Sequence, residues 1–357
     1  MGGIQMNAAY DPFARGPFAA GVCTFQARDT TRQRLFPCEI WYPSTADYAG
    51  RDLAPSAQDE FALPTGETQR QSAVRDAAVQ PGVRPLILFS HHSGGHRRAS
   101  SFLCTHLAGH GYIVAVLDHS EVVAPELGRR DGETPAQLAA RVDSWIANRV
   151  PDIRFLLDYV LGNLPVGPEA SVDTEGIGMV GYSFGGWTSL AALNVEPRIR
   201  AVAALAPGGS SHRRPGIIPA TLDFKWTREV ATLYLVAELD TCLPLYGMHE
   251  IFERTPAPKQ MVVLRRADHL HFTDNVEQSH EGFRTMPAAG DLAKIQEEMR
   301  PIAELCSGEQ AHLFLRGLTL AHFDDVLRRQ DQARRFLDGD IEAELAVRGV
   351  EAVAYEP

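Results

Sequence analysis

The sequence predicts an α/β protein: a doubly wound, mostly parallel sheet of eight strands with helices on both faces. Three observations predict it. Six short apolar runs are unbroken by polar residues, as expected of parallel strands covered on both faces. Helix-compatible stretches separate several of these runs, as the crossovers of a parallel sheet require. Ahead of them stand two strand-like runs that read as an antiparallel edge hairpin.

The hairpin spans residues 21–27 and 35–42, joined by the polar stretch 28–34. Residues 43–84 are rich in Ala, Gln, Asp, Pro and Gly without sustained periodicity, which predicts a surface excursion. The six buried strands follow at 85–89 (PLILF), 112–117 (YIVAVL), 177–180 (IGMV), 201–205 (AVAAL), 233–237 (LYLVA) and 261–264 (MVVL). Helices are predicted over 98–110 and 134–162. Thr134 followed by Pro135 fits an N-cap and first-turn pair. Ile153, Leu156, Leu157 and Val160 fall at i, i+3, i+4, i+7 and make an apolar face. Pro151 predicts a kink or a split. Two long helical patterns, 275–305 and 311–345, close the chain. No linker sets them apart, so the expectation is one domain over 1–357, with these helices against the sheet.

Bulk properties narrow the function classes. With 45% apolar and 22% charged residues, the 357-residue chain has the balance of a globular protein able to bury a large core. Its formal net charge of −11 disfavours nucleic acid and anionic membrane surfaces as partners. Residues 1–9 carry no basic stretch before an apolar run, and no apolar stretch is long enough to span a bilayer. The five cysteines, Cys23, Cys38, Cys104, Cys242 and Cys306, are scattered with no C-x-x-C pair. Together these features lead us to expect a cytoplasmic protein with reduced thiols.

The sharpest motif is Gly181-Tyr182-Ser183-Phe184-Gly185, a G-x-S-x-G pattern. It follows an apolar run and opens a helix-compatible stretch, which is the strand–turn–helix setting of an exposed nucleophilic serine. Small residues two before and two after the serine avoid clashes in so tight a turn. The Phe184 N–H then faces a developing oxyanion. A serine hydroxyl needs a base, and the base needs a carboxylate to fix its tautomer. In this setting the chain order is serine, acid, histidine, each past a strand end. Asp240 follows the run 233–237, with Glu238 a rival closer to the strand. His269 follows the run 261–264, with His271 as the alternative base or a pocket residue. The loop Ser90-His91-His92-Ser93-Gly94-Gly95-His96 offers the Ser93 N–H as a second oxyanion donor, with His92 as a pocket residue. His91, His92 and His96 also invite a metal reading. Adjacent side chains on extended backbone point to opposite faces, so His91 and His92 are poorly placed to share an ion, and no metal is expected. Trp187, Trp226, Phe224 and Trp145 are candidates to line or cover a pocket; residues 121–143 and 208–227 are candidate lids.

These residues resemble a known group. Trp41-Tyr42-Pro43, Phe89-Ser90-His91, His110-Gly111-Tyr112, the Ser183 motif with Gly186, and Asp268-His269 resemble the dienelactone-hydrolase-like branch of the α/β-hydrolases. That branch includes relatives of platelet-activating-factor acetylhydrolase and bacterial polyester hydrolases. The likeness covers most of 12–327 and implies the α/β-hydrolase fold. Three features depart from it. Ser90-His91-His92 stands where the branch often has S-H-G. Ser183 stands where dienelactone hydrolases proper carry cysteine. The acetylhydrolase relatives place their acid after the strand corresponding to 201–205, but here Leu205-Ala206-Pro207-Gly208 holds no carboxylate. The expected chemistry is cleavage of a small carboxylic ester through an acyl-enzyme, without a cofactor. An amide substrate for the same triad, or a hydrolase-fold binding protein without catalysis, stays open. So does a homo-oligomer, since the C-terminal helices can pack on the sheet or on a second copy.

Overall fold

The chain opens with the expected hairpin. Strands β1 (Ala20–Asp29) and β2 (Arg34–Pro43) pair antiparallel over their full length, Ala20 opposite Pro43 and Asp29 opposite Arg34. The computed structural model describes residues 10–63, 66–128, 130–212, 214–256 and 258–355. Residues 1–9, read above for a leader, lie outside them.

The excursion at 43–84 is more structured than its composition suggests. It holds a small separate hairpin, β3 (Asp59–Ala62) with β4 (Thr68–Gln71), and a two-residue strand, β5 (Val74–Arg75), that pairs with β1. Buried polar contacts fix it: the Gln71 amide joins Asp59 at 2.7 Å and the Trp41 indole at 2.7 Å.

The parallel part follows as β6 (Gly82–Ser90), α1 (Ser101–Gly109), β7 (Ile113–Leu117), α2 (Ser120–Val123), α3 (Pro135–Gly162), β8 (Ala170–Tyr182), α4 (Phe184–Ala192), β9 (Ala201–Leu205), β10 (Ala231–Ala237), α5 (Leu245–Arg254) and β11 (Lys259–Leu264). The strand order is β12-β11-β10-β9-β8-β6-β7-β2-β1-β5. The sheet thus has ten strands where eight are predicted; the two extra ones are the edges β5 and β12 (Ala352–Tyr355), too short to stand out as apolar runs. The chain leaves β6 for β7 on one side and returns to β8 on the other. The carboxyl end of β6 is therefore the crevice where such sheets place their ligands.

Both faces are covered. Along β6, Leu86 and Leu88 face one core with α3, α4 and α5, while Ile87 and Phe89 face a second core with α1 and the C-terminal helices. This double burial is why the strands read as unbroken apolar runs.

Two helical expectations need correction. Pro151 does not split α3, which runs unbroken over 28 residues from a Thr134–Gln137 capping box. The patterns at 275–305 and 311–345 are not two long helices. They form α6 (Val276–Thr285), α7 (Asp291–Glu298), α8 (Gly308–Val326), α9 (Asp331–Leu337) and α10 (Ile341–Ala346). Pro287 and Gly290 interrupt the first pattern, and Pro301 ends it.

Candidate active site

β8 ends at Tyr182 and α4 begins at Phe184, so Ser183 alone makes the turn. Its φ of 58° and ψ of −113° lie where side chains are normally excluded. The turn is tolerated because its neighbours have no side chain. A Cβ on Gly181 would stand 2.2 Å from the Gly185 oxygen, and one on Gly185 would stand 1.9 Å from the Ser90 oxygen. The same closeness draws the loop after β6 against the first turn of α4. The Ser183 side chain is left partly exposed above the carboxyl end of the sheet.

Three candidate residues meet there. Ser183 Oγ is 2.9 Å from His269 Nε2, and His269 Nδ1 is 2.7 Å from Asp240 Oδ2. The carboxylate fixes the proton on Nδ1 and leaves the Nε2 lone pair to the serine hydroxyl. Asp240 is itself held, its Oδ1 accepting from the N–H groups of Cys242 at 2.9 Å and Leu243 at 2.6 Å. His269 is 7% exposed. Burial disfavours its charged form, but the Asp240 carboxylate, aided by Asp268, outweighs this and holds its pKa above the ordinary imidazole value.

The rivals are elsewhere. Glu238 accepts from the Arg266 N–H at 2.8 Å and pairs with Arg265. His271 is fully buried; its Nδ1 accepts from the Asp268 N–H at 3.0 Å, and its Nε2 meets the Cys306 oxygen at 3.0 Å. It secures the turn that carries His269, which corrects its reading as a pocket residue. Trp187 is buried against Phe184 with its indole N–H on the Thr221 oxygen at 2.8 Å, so it anchors the segment 208–227. The Phe184 N–H lies in the first turn of α4, where N–H groups lack helical acceptors. Among the described residues, nothing in the protein accepts from the Ser93 N–H. His92 is partly exposed, with its ring 5.0 Å from that of Tyr182. Burial, together with the neighbouring His269, pushes its pKa down to about 3, so it is neutral at pH 7.

The histidines of this loop do not gather around an ion site. Both His91 ring nitrogens meet backbone groups, those of His92 and His119. Among the described residues, the one group with metal-ligand proximity is His119, Glu121 and Asp152. Its carboxylates already face the Arg149 and Arg32 guanidinium groups.

Sequence reasoning missed two residues that brace the site. The Tyr182 hydroxyl donates to the His269 carbonyl at 2.7 Å. Asp268 Oδ1 accepts from the Thr241 N–H at 2.8 Å and from the His269 N–H at 2.6 Å. It thereby ties the acid loop to the base loop. All five cysteines, Cys23 and Cys38 included, are free thiols.

Residues 60–127 match the family model described as platelet-activating factor acetylhydrolase, isoform II. The chain is 26% identical over 321 residues to a platelet-activating factor acetylhydrolase of Cavia porcellus, covering 74% of this chain and 68% of the relative. It is 24% identical over 278 residues to that of Gallus gallus, covering 64% of this chain and 60% of the relative. A solved ferulic acid esterase from Streptomyces cinnamoneus superposes with a TM-score of 0.62 at 24% identity, over 88% of this chain and 92% of that one; this likeness bears on the fold. Sheet, family match and relatives all fit the α/β-hydrolase superfamily, in its dienelactone-hydrolase-like branch.

Proposed function

We propose that this chain is a serine esterase acting on a small carboxylic ester. The observation that supports it most is the continuous relay from Ser183 Oγ through His269 to Asp240, at 2.9 and 2.7 Å. Ser183 attacks the ester carbonyl while His269 Nε2 takes its proton. The Asp240 carboxylate stabilises the imidazolium that results. The Phe184 and Ser93 N–H groups receive the oxyanion, a contribution of about 3–4 kcal/mol for each donor. His269 returns the proton to the leaving alcohol, the acyl group stays on Ser183, and water releases it by the same steps in reverse. No cofactor takes part. The names of the acetylhydrolase relatives and of the ferulic acid esterase neighbour both describe ester cleavage, which agrees with this reading. The test is hydrolysis of p-nitrophenyl acetate and longer acyl homologues by wild type and Ser183→Ala. The expected result is turnover by wild type and a loss on the order of 10⁴-fold or more in the variant. Equal rates from the two proteins would sink the proposal.

A further inference from the structure

Arg149 is a fully buried arginine that contacts the loop carrying the candidate oxyanion donor Ser93. It projects from α3. One of its nitrogens, Nη1, donates to the His91 carbonyl at 2.5 Å, and the other, Nη2, donates to the His92 carbonyl at 3.3 Å. Its Cζ lies 4.2 Å from the centre of the Phe184 ring, a cation–π contact. Its charge is balanced by Glu121 of α2. One guanidinium thus touches both residues that flank the site: Phe184, which carries one oxyanion donor, and His92, whose carbonyl shares a peptide unit with the Ser93 N–H.

That shared peptide is the core of the argument. A trans peptide is planar, and its C=O and N–H point in opposite directions. The His92 oxygen is held by Arg149, by His91 Nδ1–H, which donates to it at 2.8 Å, and by the Gly95 N–H at 3.1 Å. The Ser93 N–H must then point outward. Hydrogen bonds at the oxygen, one from a cation, also polarise the unit and strengthen its N–H as a donor. The His91 ring is fixed for this task, since its Nε2 accepts from the His119 N–H at 3.2 Å while Nδ1 donates.

A second Ser–His–Asp chain braces the same loop. Ser90 Oγ is 2.8 Å from His119 Nε2, and His119 Nδ1 is 3.2 Å from Asp152 Oδ2. All three are fully buried, so no substrate reaches them. Asp152 also accepts from the Ser120 N–H at 2.8 Å and pairs with Arg32 at 2.6 Å. Arg149 and Asp152 stand three residues apart on α3 and face the same side.

We infer that Arg149 is a positioning residue of the oxyanion site: it holds the His92–Ser93 peptide so that the Ser93 N–H faces the reacting carbonyl. This rests on the esterase reading of Ser183. Arg149→Lys keeps the charge but loses the fork that spans two carbonyls. The expected result is a fall in kcat on the order of 10- to 100-fold, with KM within about 3-fold of wild type. The midpoint of the acid limb of kcat/KM stays where it was, because His269 is untouched. Affinity for a trifluoromethyl ketone, which captures the tetrahedral oxyanion, falls in parallel with kcat/KM. His91→Phe keeps an aromatic ring and the buried ion pair but removes the imidazole donor, leaving Arg149 and the Gly95 N–H on the His92 oxygen; it should show the same pattern at smaller size, and it decides the matter if Arg149→Lys does not fold. Wild-type kcat in a folded variant would overturn the inference. So would a loss confined to KM or joined to a moved pH midpoint, since either would put Arg149 at the pocket or the relay. If wild type itself turns over no ester, the reading of Ser183 fails first and takes this inference with it.

Discussion

Asp240 divides its two oxygens between two tasks. One receives backbone N–H groups and fixes the loop; the other faces His269. Asp240→Asn should therefore leave the protein folded while lowering kcat about 10⁴-fold, because the base loses its tautomer control. The same change should move the acid limb of the pH–rate profile. As the proposed base, His269 must be neutral to act, and the carboxylate holds its pKa above the ordinary imidazole value against the effect of burial. Wild-type kcat/KM should thus fall below a midpoint above about 6.5, and the variant's midpoint should lie lower. An unmoved midpoint would contradict this account of Asp240. Ser183, Asp240 and His269 were legible in the sequence because each follows an apolar run in the required chain order. Tyr182 and Arg149 were not: their partners His269 and His91 lie 87 and 58 residues away, and no local pattern announces such a contact. Arg149 did leave one trace. It stands four residues before Ile153, on the apolar stripe of α3, where a charged side chain needs a buried partner.

At the scale of elements, the turn around Ser183 is tied to the neighbouring strand. Gly185 abuts the Ser90 carbonyl so closely that a Cβ would stand 1.9 Å from it. Gly185→Ala should force α4 away from the end of β6. The expected cost exceeds about 3 kcal/mol, or the protein fails to accumulate folded. A thermal melt of the purified variant at the wild-type Tm would contradict the geometry. The start of α3 is a milder case: Thr134→Ala removes a capping box at an exposed helix end and should cost about 1 kcal/mol by denaturant titration. Strand positions were readable because double burial leaves an unbroken apolar signature. The short edges β5 and β12 gave no such signature, and neither did the breaks among the C-terminal helices. Pro151 misled because the rest of α3, packed through Trp145, Ile153 and Leu156, sustains the helix across it.

Across the molecule, one core joins Val22 of the opening hairpin to Phe314 and Leu318 of α8 and Leu345 of α10. We therefore propose that the chain unfolds as one unit. Leu318→Ala should lower stability by about 2–5 kcal/mol and leave a single denaturant transition seen by fluorescence and circular dichroism alike. Two separated transitions would mean that the C-terminal helices fold on their own. The same architecture sets the candidate site. Loops from β6, β8, β10 and β11 converge at the carboxyl edge of the sheet, and their residues meet only once the sheet has formed. The measurement that tests the central claim most directly is labelling with a fluorophosphonate, with the adduct mapped by mass spectrometry in wild type and Ser183→Ala. The account predicts one adduct on Ser183, absent from the variant and slowed by protonation of His269 at low pH. A well-folded wild type left unlabelled, or an adduct on another residue, would contradict it.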